Sequence, residues 1–335
     1  MPLPRRGHSV APVVPSTTLL TSPASVSRRN FLAGAGTLAG LTALGGLPRA
    51  WAAPAVDSPA EQVVGRLYQS LSAEQKTQIA LPFDHDLRSR ISANWHVTKP
   101  KIGDDFYTKD QRQLIVDIVR GVTSPEGFEL IEKQTEFDDG GLDGYSIALF
   151  GTPGSGQFEW ELTGRHLTLR ADGNSVPKAA FGGPIVYGHG EESPKKNLFY
   201  PQTVKVNELL AALDPAHAAA ALLDKAPPES AVSLRGRDGQ FAGLPVAKLA
   251  ADQRQLVEQT LRFLLAPYRQ ADVDEVFQVL KANGGVESLH IAFYREGDLL
   301  EDRQWDLWRV EGPGFVWHFR GAPHVHAYIN IAALA

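Results

Sequence analysis

Apolar and polar residues follow one another along this chain with two different periods. In the runs after residues 108 and 250 the apolar positions recur at helical spacing, as in Leu114, Ile115, Ile118 and Val119, or Leu256, Leu261, Phe263 and Leu264. Such spacing lines one face of an α-helix. Four segments open runs of this kind: Ser72-Ala73-Glu74-Gln75, Thr108-Lys109-Asp110-Gln111, Asp214-Pro215-Ala216-His217 and Ala250-Ala251-Asp252-Gln253. A Ser or Thr with Gln three residues later makes a capping box, which satisfies the unpartnered N–H groups of a first helical turn. In the third segment Asp214 caps and Pro215 takes the first helical position, where no N–H is needed.

Elsewhere the period shortens to two. A first block of strand-like runs holds Tyr145–Phe150, Phe158–Leu162 and His166–Arg170, separated by the turn residues 151–156 and by Thr163-Gly164. A second holds Leu289–Tyr294, Trp305–Val310, Phe315–Phe319 and Val325–Ile331, with turns at Glu296-Gly297-Asp298 and Gly312-Pro313-Gly314. Helices bracket and separate the blocks without regular βαβ alternation. The fold class predicted is therefore α+β, a largely antiparallel sheet from two strand blocks (about 145–170 and 289–331) packed with amphipathic helices. Pro227–Ala242 is polar, rich in Gly and Pro, and reads as a long surface loop.

The first residues follow a different logic. Ser27-Arg28-Arg29-Asn30-Phe31-Leu32 leads into a mildly apolar stretch, Phe31–Leu47, with five glycines, and then into Ala50-Trp51-Ala52. Paired arginines ahead of Phe-Leu are the pattern read by the bacterial twin-arginine translocase. The small-x-small triplet is a cleavage signature. About 20 strongly apolar residues are needed to span a bilayer, and this stretch falls short. The expectation is a twin-arginine signal peptide over 1–52, with the translocase as partner during export. A single α+β domain over 53–335 follows, expected to be soluble, periplasmic or secreted, and without a stable membrane anchor.

Composition narrows the chemistry. A net charge of -5 argues against nucleic acid as a partner. The chain has no cysteine, and its one methionine is Met1. Iron–sulfur clusters, thiolate copper and zinc sites and cysteine nucleophiles are excluded, so any metal must be held by His, Asp, Glu or backbone oxygen. The glycines of 151–156 lack the Lys-Ser/Thr that a phosphate loop needs, and neither Gly-x-Ser-x-Gly nor His-Glu-x-x-His occurs.

Histidines are the candidates that remain. In His324-Val325-His326 a strand would project both imidazoles from one face. They would form a pair of metal ligands or a plain cross-strand surface pair. His166 is placed at the start of a strand, on the polar face shared with Thr168 and Arg170; His318 lies opposite Trp317 and Phe319; His96 follows Asn94-Trp95. Each of these three, taken alone, reads as a hydrogen-bonded structural histidine. His189 is assigned to a flexible loop, and Glu159 and Glu161 to ordinary solvent-facing strand positions.

The order of Asn94-Trp95-His96, Gly164-x-His166-Leu167, Phe181-Gly182-Gly183-Pro184, Arg309 before Gly312-Pro313, and His324-x-His326 resembles the bacterial and fungal family called domain of unknown function 3500, from about Glu61 to Ile331. That family often shows Gly-His-His where this chain has Gly164-Arg165-His166, so only His166 carries over. Many members have an acidic residue where His318 stands; if that position touches a metal, the resemblance implies a different ligand set or a different metal here. The resemblance gathers His96, His166, His324 and His326 into one site. It implies His166, His324 and His326 as ligands of one divalent or redox metal ion, iron, copper or zinc. The catalytic candidates are then His96, His318 and Arg309: His96 or His318 as a fourth ligand or an acid/base group, and Arg309 with Arg165 orienting an anionic group, while Trp95 and Trp317 wall an apolar pocket. The function expected is a metal-dependent enzyme acting on a small-molecule substrate, redox chemistry being favoured over hydrolysis. The alternative is a non-catalytic protein of the cell envelope that binds a small ligand or a metal.

Overall fold

A computed structural model describes residues 53–298 and 302–334, and the expected export signal lies outside them. In chain order the helices and strands are α1 Pro59–Ser70, α2 Ala73–Ile79, β1 Ala80–Leu81, α3 Lys109–Val122, α4 Pro125–Asp139, β2 Ser146–Gly151, β3 Phe158–Gly164, β4 Leu167–Ala171 and β5 Ile185–His189. Then come α5 Tyr200–Ala211, α6 Pro215–Ala221, β6 Leu222–Leu223, β7 Leu244–Pro245, α7 Ala251–Leu265, α8 Gln270–Ala282, β8 His290–Tyr294, β9 Leu307–Gly312, β10 Phe315–Arg320 and β11 Val325–Ile331.

The expected helix starts form as their caps dictate. Ser72 and Thr108 each accept the backbone N–H of the residue three later, at 3.1 and 3.2 Å, and each donates its own backbone N–H to the Oε1 of that Gln. Asp214 Oδ1 accepts from Ala216 and His217 ahead of α6. Ala250 has no side-chain acceptor, so α7 keeps only the Gln253 half of a box, at 3.1 Å. Helices α1, α4, α5 and α8 lack the Ser/Thr-plus-Gln signature and were not anticipated. Pro59, Pro125 and Pro201 start three of them at the positions proline favours.

The strands make one sheet in the order β1-β2-β3-β4-β5-β11-β10-β9-β8-β6, with β7 also on β8. Every pairing is antiparallel except β1 with β2 and β6 with β8. The two strand blocks are thus real, and β5 joins them by pairing with β4 on one side and β11 on the other. This corrects the loop assignment of His189, which ends β5 and is buried. Gly188 disguises the strand in the sequence, because glycine weakens a period-two pattern.

Both faces of the sheet are covered. On one, Leu149, Trp160, Leu162, Leu169, Trp317 and Ile329 pack with the helices in the main core. On the other, Ala148 and Phe150 meet Trp95 and Val97, while Val186, Val316 and Tyr328 meet Ala93 and Val232. This second cover, from the segment near residue 95 and the loop 227–242, buries strand positions that alternation assigns to solvent. Glu159 and Glu161 are accordingly fully buried, contrary to expectation, and both pair with the buried Arg170. Burial pushes the Glu161 carboxyl up to about 8, against the opposing pull of Arg170. Among the described residues no helix is long and apolar enough to cross a membrane.

Candidate metal centre

Strand β4 begins, β5 ends and β11 begins at one end of the sheet, with Leu167 paired to Tyr187 and Val325 to His189. The histidines meet there. β3 and β4 are joined by a two-residue turn, Arg165-His166, since Gly164 pairs with Leu167. His166 sits in that turn with φ 60°, in the left-handed region, and not on the polar face of a strand as expected. An αL residue closes a tight turn and points its side chain away from the ladder. The turn is held from several sides. Tyr145 Oη donates to the Arg165 carbonyl at 2.7 Å, and the His166 N–H donates to the Ala93 carbonyl at 2.6 Å. Gln134 Nε2 lies 3.3 and 3.4 Å from the carbonyls of Arg165 and His166.

His324 comes just before β11 and His326 is its second residue, so only His326 is within the strand. Their Nε2 atoms still approach to 2.9 Å. The His166 ring centroid is 5.0 Å from that of His324 and 4.9 Å from that of His326. Each ring offers one nitrogen such that the three atoms lie within 4.8 Å of one another, close enough for one metal ion to be held by all three. Two imidazoles are oriented by carboxylates. Asp138, in the last turn of α4, places Oδ2 2.9 Å from His166 Nδ1, and Glu229, from the loop 227–242, places Oε1 3.0 Å from His326 Nδ1. A carboxylate on the far nitrogen leaves Nε2 with its lone pair free and raises its basicity, the arrangement found behind metal-bound histidines.

Two glycines make room. Gly188 sits opposite His326, and a Cβ there would lie 2.2 Å from the Val325 carbonyl oxygen and 3.1 Å from His166 Cβ. At Gly190 a Cβ would lie 2.6 Å from Asp138 Oδ1, which accepts the Gly190 N–H at 2.8 Å. The electrostatics disfavour the charged forms of His324 and His326. Burial, then the neighbouring His326 and His166 and the cations Arg320 and Arg165, push His324 down to about 4. Burial also lowers His326, against the pull of its Glu229 partner. Neutral imidazole is the form that binds a metal.

The other expected site residues fall elsewhere. His96 is exposed and lies outside this triad; burial of part of its ring and the charge of Lys101 lower its pKa. His318 is buried on β10, with Nδ1 3.4 Å from Arg309 Nη1, and burial followed by the Arg309 charge pushes it down to about 3. Arg309 is buried too: it grips Glu311 through Nε and Nη2 at 3.0 and 3.1 Å and donates to the Ala231 carbonyl at 2.6 Å. Its donors are engaged inside the protein, so it is not placed to orient a substrate. Trp317 lies in the helix-side core and Trp95 packs with Phe150, so neither walls the triad. Glu229, Asp138 and Arg320 were missed by sequence reasoning. Only the loop that carries Glu229 was singled out, and no local pattern marks the other two.

The family described as "Protein of unknown function (DUF3500)" matches residues 55–330. This chain belongs to that family. The family accounts for the order of short motifs along the chain, and the triad draws two of them, Gly164-x-His166 and His324-x-His326, to one point. No curated protein and no solved structure matches the chain.

Proposed function

We propose that this member of the family is an exported metal-dependent enzyme whose one metal ion is held by His166, His324 and His326. The observation that carries the reading is the convergence of the three imidazoles with a carboxylate behind two of them. The donor set fits. Three neutral nitrogens with no thiolate suit zinc, iron or copper, and leave a coordination position for a small molecule. Such an ion supplies Lewis acidity toward water or, for iron and copper, electron transfer to oxygen. The chain's own groups hold the rings in place: Asp138 and Glu229 fix the tautomers of His166 and His326, and Tyr145 and Gln134 pin the turn that carries His166. Redox chemistry is favoured over hydrolysis because both nearby carboxylates are engaged by imidazoles, which leaves neither as a free general base for water.

Metal analysis of protein purified through its native export route tests this reading. The expected result is close to one metal ion per chain, abolished by His324→Ala with His326→Ala and untouched by His85→Ala. A content below about 0.1 per chain that reconstitution does not raise sinks it. Export itself rests on Ser27–Leu32 and Ala50–Ala52. Replacing Arg28 and Arg29 together by Lys should hold the protein in the cytoplasm, and the N-terminus of the exported form should lie near Ala53. Export that is indifferent to the arginines would remove the twin-arginine route.

A further inference from the structure

Two cations stand beside the triad, and they differ from the arginines buried elsewhere in the sheet. Arg165 immediately precedes His166 and is exposed. Its Nη2 and His166 Cε1 lie 3.3 and 3.6 Å from the same point, the position a Cβ on Gly190 would take, so the guanidinium sits beside the His166 ring. No carboxylate is within ion-pair distance of Arg165 among the described residues. Arg320 is directly opposite His326 in the β10–β11 ladder, where paired side chains share a face about 5 Å apart. Its Nη1 is 3.3 Å from Glu229 Oε2, and its Nε is buried without a hydrogen-bond partner. Both positive charges act on His324, which is partly exposed.

The local charges can be summed. Around the three imidazoles the two guanidinium charges of Arg165 and Arg320 stand against the two carboxylates that hold the rings, Asp138 and Glu229. A divalent ion held by the rings adds further positive charge beside these two guanidiniums. We infer that the triad takes a small substrate through a carboxylate group, with Arg165 and Arg320 as the specificity-determining residues that bind its oxygens beside the metal. A guanidinium presents parallel N–H donors that match the two oxygens of a carboxylate, and Arg165 has its donors free to do so. The inference rests on the metal-centre reading above and adds the class of substrate to it. Arg309, which the sequence suggested for this task, is replaced in it by Arg320.

Cobalt(II) provides a test that does not depend on activity, because its visible bands report its ligands. The full mature chain loaded with Co²⁺ is titrated with acetate, with acetamide as the uncharged control and with inorganic phosphate as the rival anion. Acetate should shift the bands saturably and acetamide should leave them unchanged. Arg165→Gln, at an exposed position outside the ligand set, should keep full Co²⁺ content and weaken acetate about tenfold, as the loss of a hydrogen bond to a charged group predicts. Arg320→Gln should weaken acetate too, but its contact with Glu229 makes Arg165 the decisive position. If Co²⁺ does not bind, the metal reading itself fails. If Co²⁺ binds but its bands ignore acetate, or if Arg165→Gln binds acetate as tightly as the unaltered protein, the metal centre stands and this inference is overturned. A response to phosphate in preference to acetate overturns the carboxylate assignment.

Discussion

His166 shows how little of a site has to be visible in one residue's neighbours. Its sequence context reads as a strand, but the φ of 60° puts it in a turn, and the turn aims the ring at His324 and His326. The carboxylate behind it, Asp138, is held in turn by the Gly190 N–H. Asp138→Asn should lower metal affinity roughly 10- to 100-fold while leaving the fold intact, because the amide can still hydrogen-bond but no longer carries the charge that raises the ring's basicity. Gly190→Ala should act in the same direction, since its methyl would meet Asp138 Oδ1 at 2.6 Å. Metal competition with a chelator, alongside circular dichroism, measures both. An unchanged affinity in Asp138→Asn would mean that the His166–Asp138 contact has no part in binding a metal.

At the level of elements, the loop 227–242 is the least regular part of the domain and brings Glu229 to the triad. The contacts that dock it include the Ala231 carbonyl on Arg309, the Val232 carbonyl on Asn330 Nδ2 at 2.9 Å, the Gly236 N–H on the Pro313 carbonyl at 3.0 Å, and the fully buried Val232 side chain against Val186, Val316 and Tyr328. Arg309, on β9 two strands from β11, therefore supports this loop's seat on the sheet, and His318, on the intervening β10, packs its ring against that guanidinium. Val232→Ala removes about two buried methylene equivalents, or roughly 1.6 kcal/mol. Loosening of the loop should appear as faster proteolytic cleavage within 227–242 and weaker metal binding, although no ligand has been touched. If cleavage quickens and metal affinity holds, Glu229 is dispensable to the site. The elements most legible in the sequence are those with local signals, such as α2, α3 and α6 with their caps and the β10–β11 hairpin. Strand β5 was illegible for a physical reason. Its pairing partners, β4 and β11, are far apart in sequence, and Gly188 interrupts its pattern.

Across the whole molecule, buried ionisable groups set opposing limits on stability. His318 is held neutral in the folded protein, with its pKa near 3 against 6.5 ordinarily. Between those values the unfolded chain binds a proton that the native state does not, so this contribution to stability is lost as pH falls. The buried carboxyls act the other way. Glu161 and Glu275 are raised to about 8, and Asp172 and Asp272 to about 6, each chiefly by burial. Here the native state holds the extra protons, so stability declines as pH climbs from the ordinary carboxylate range toward 8. Four raised carboxyls outweigh the one histidine, so urea midpoints should decline as pH rises from about 5 toward 8. Glu161→Gln should flatten the alkaline limb, and a profile rising steadily to pH 8 would contradict the burial argument. The sequence by itself determined the fold class, the two strand blocks, several helix starts and the triad's members, because caps, period-two alternation and motif order are local or ordered along the chain. Only the tertiary structure decided that a second layer buries Glu159, Glu161, His318 and Arg309, and that Asp138, Glu229 and Arg320 stand around the imidazoles. Those relations join residues as far apart as Glu229 and His326, and such distances close only when the sheet and its covering loop come together.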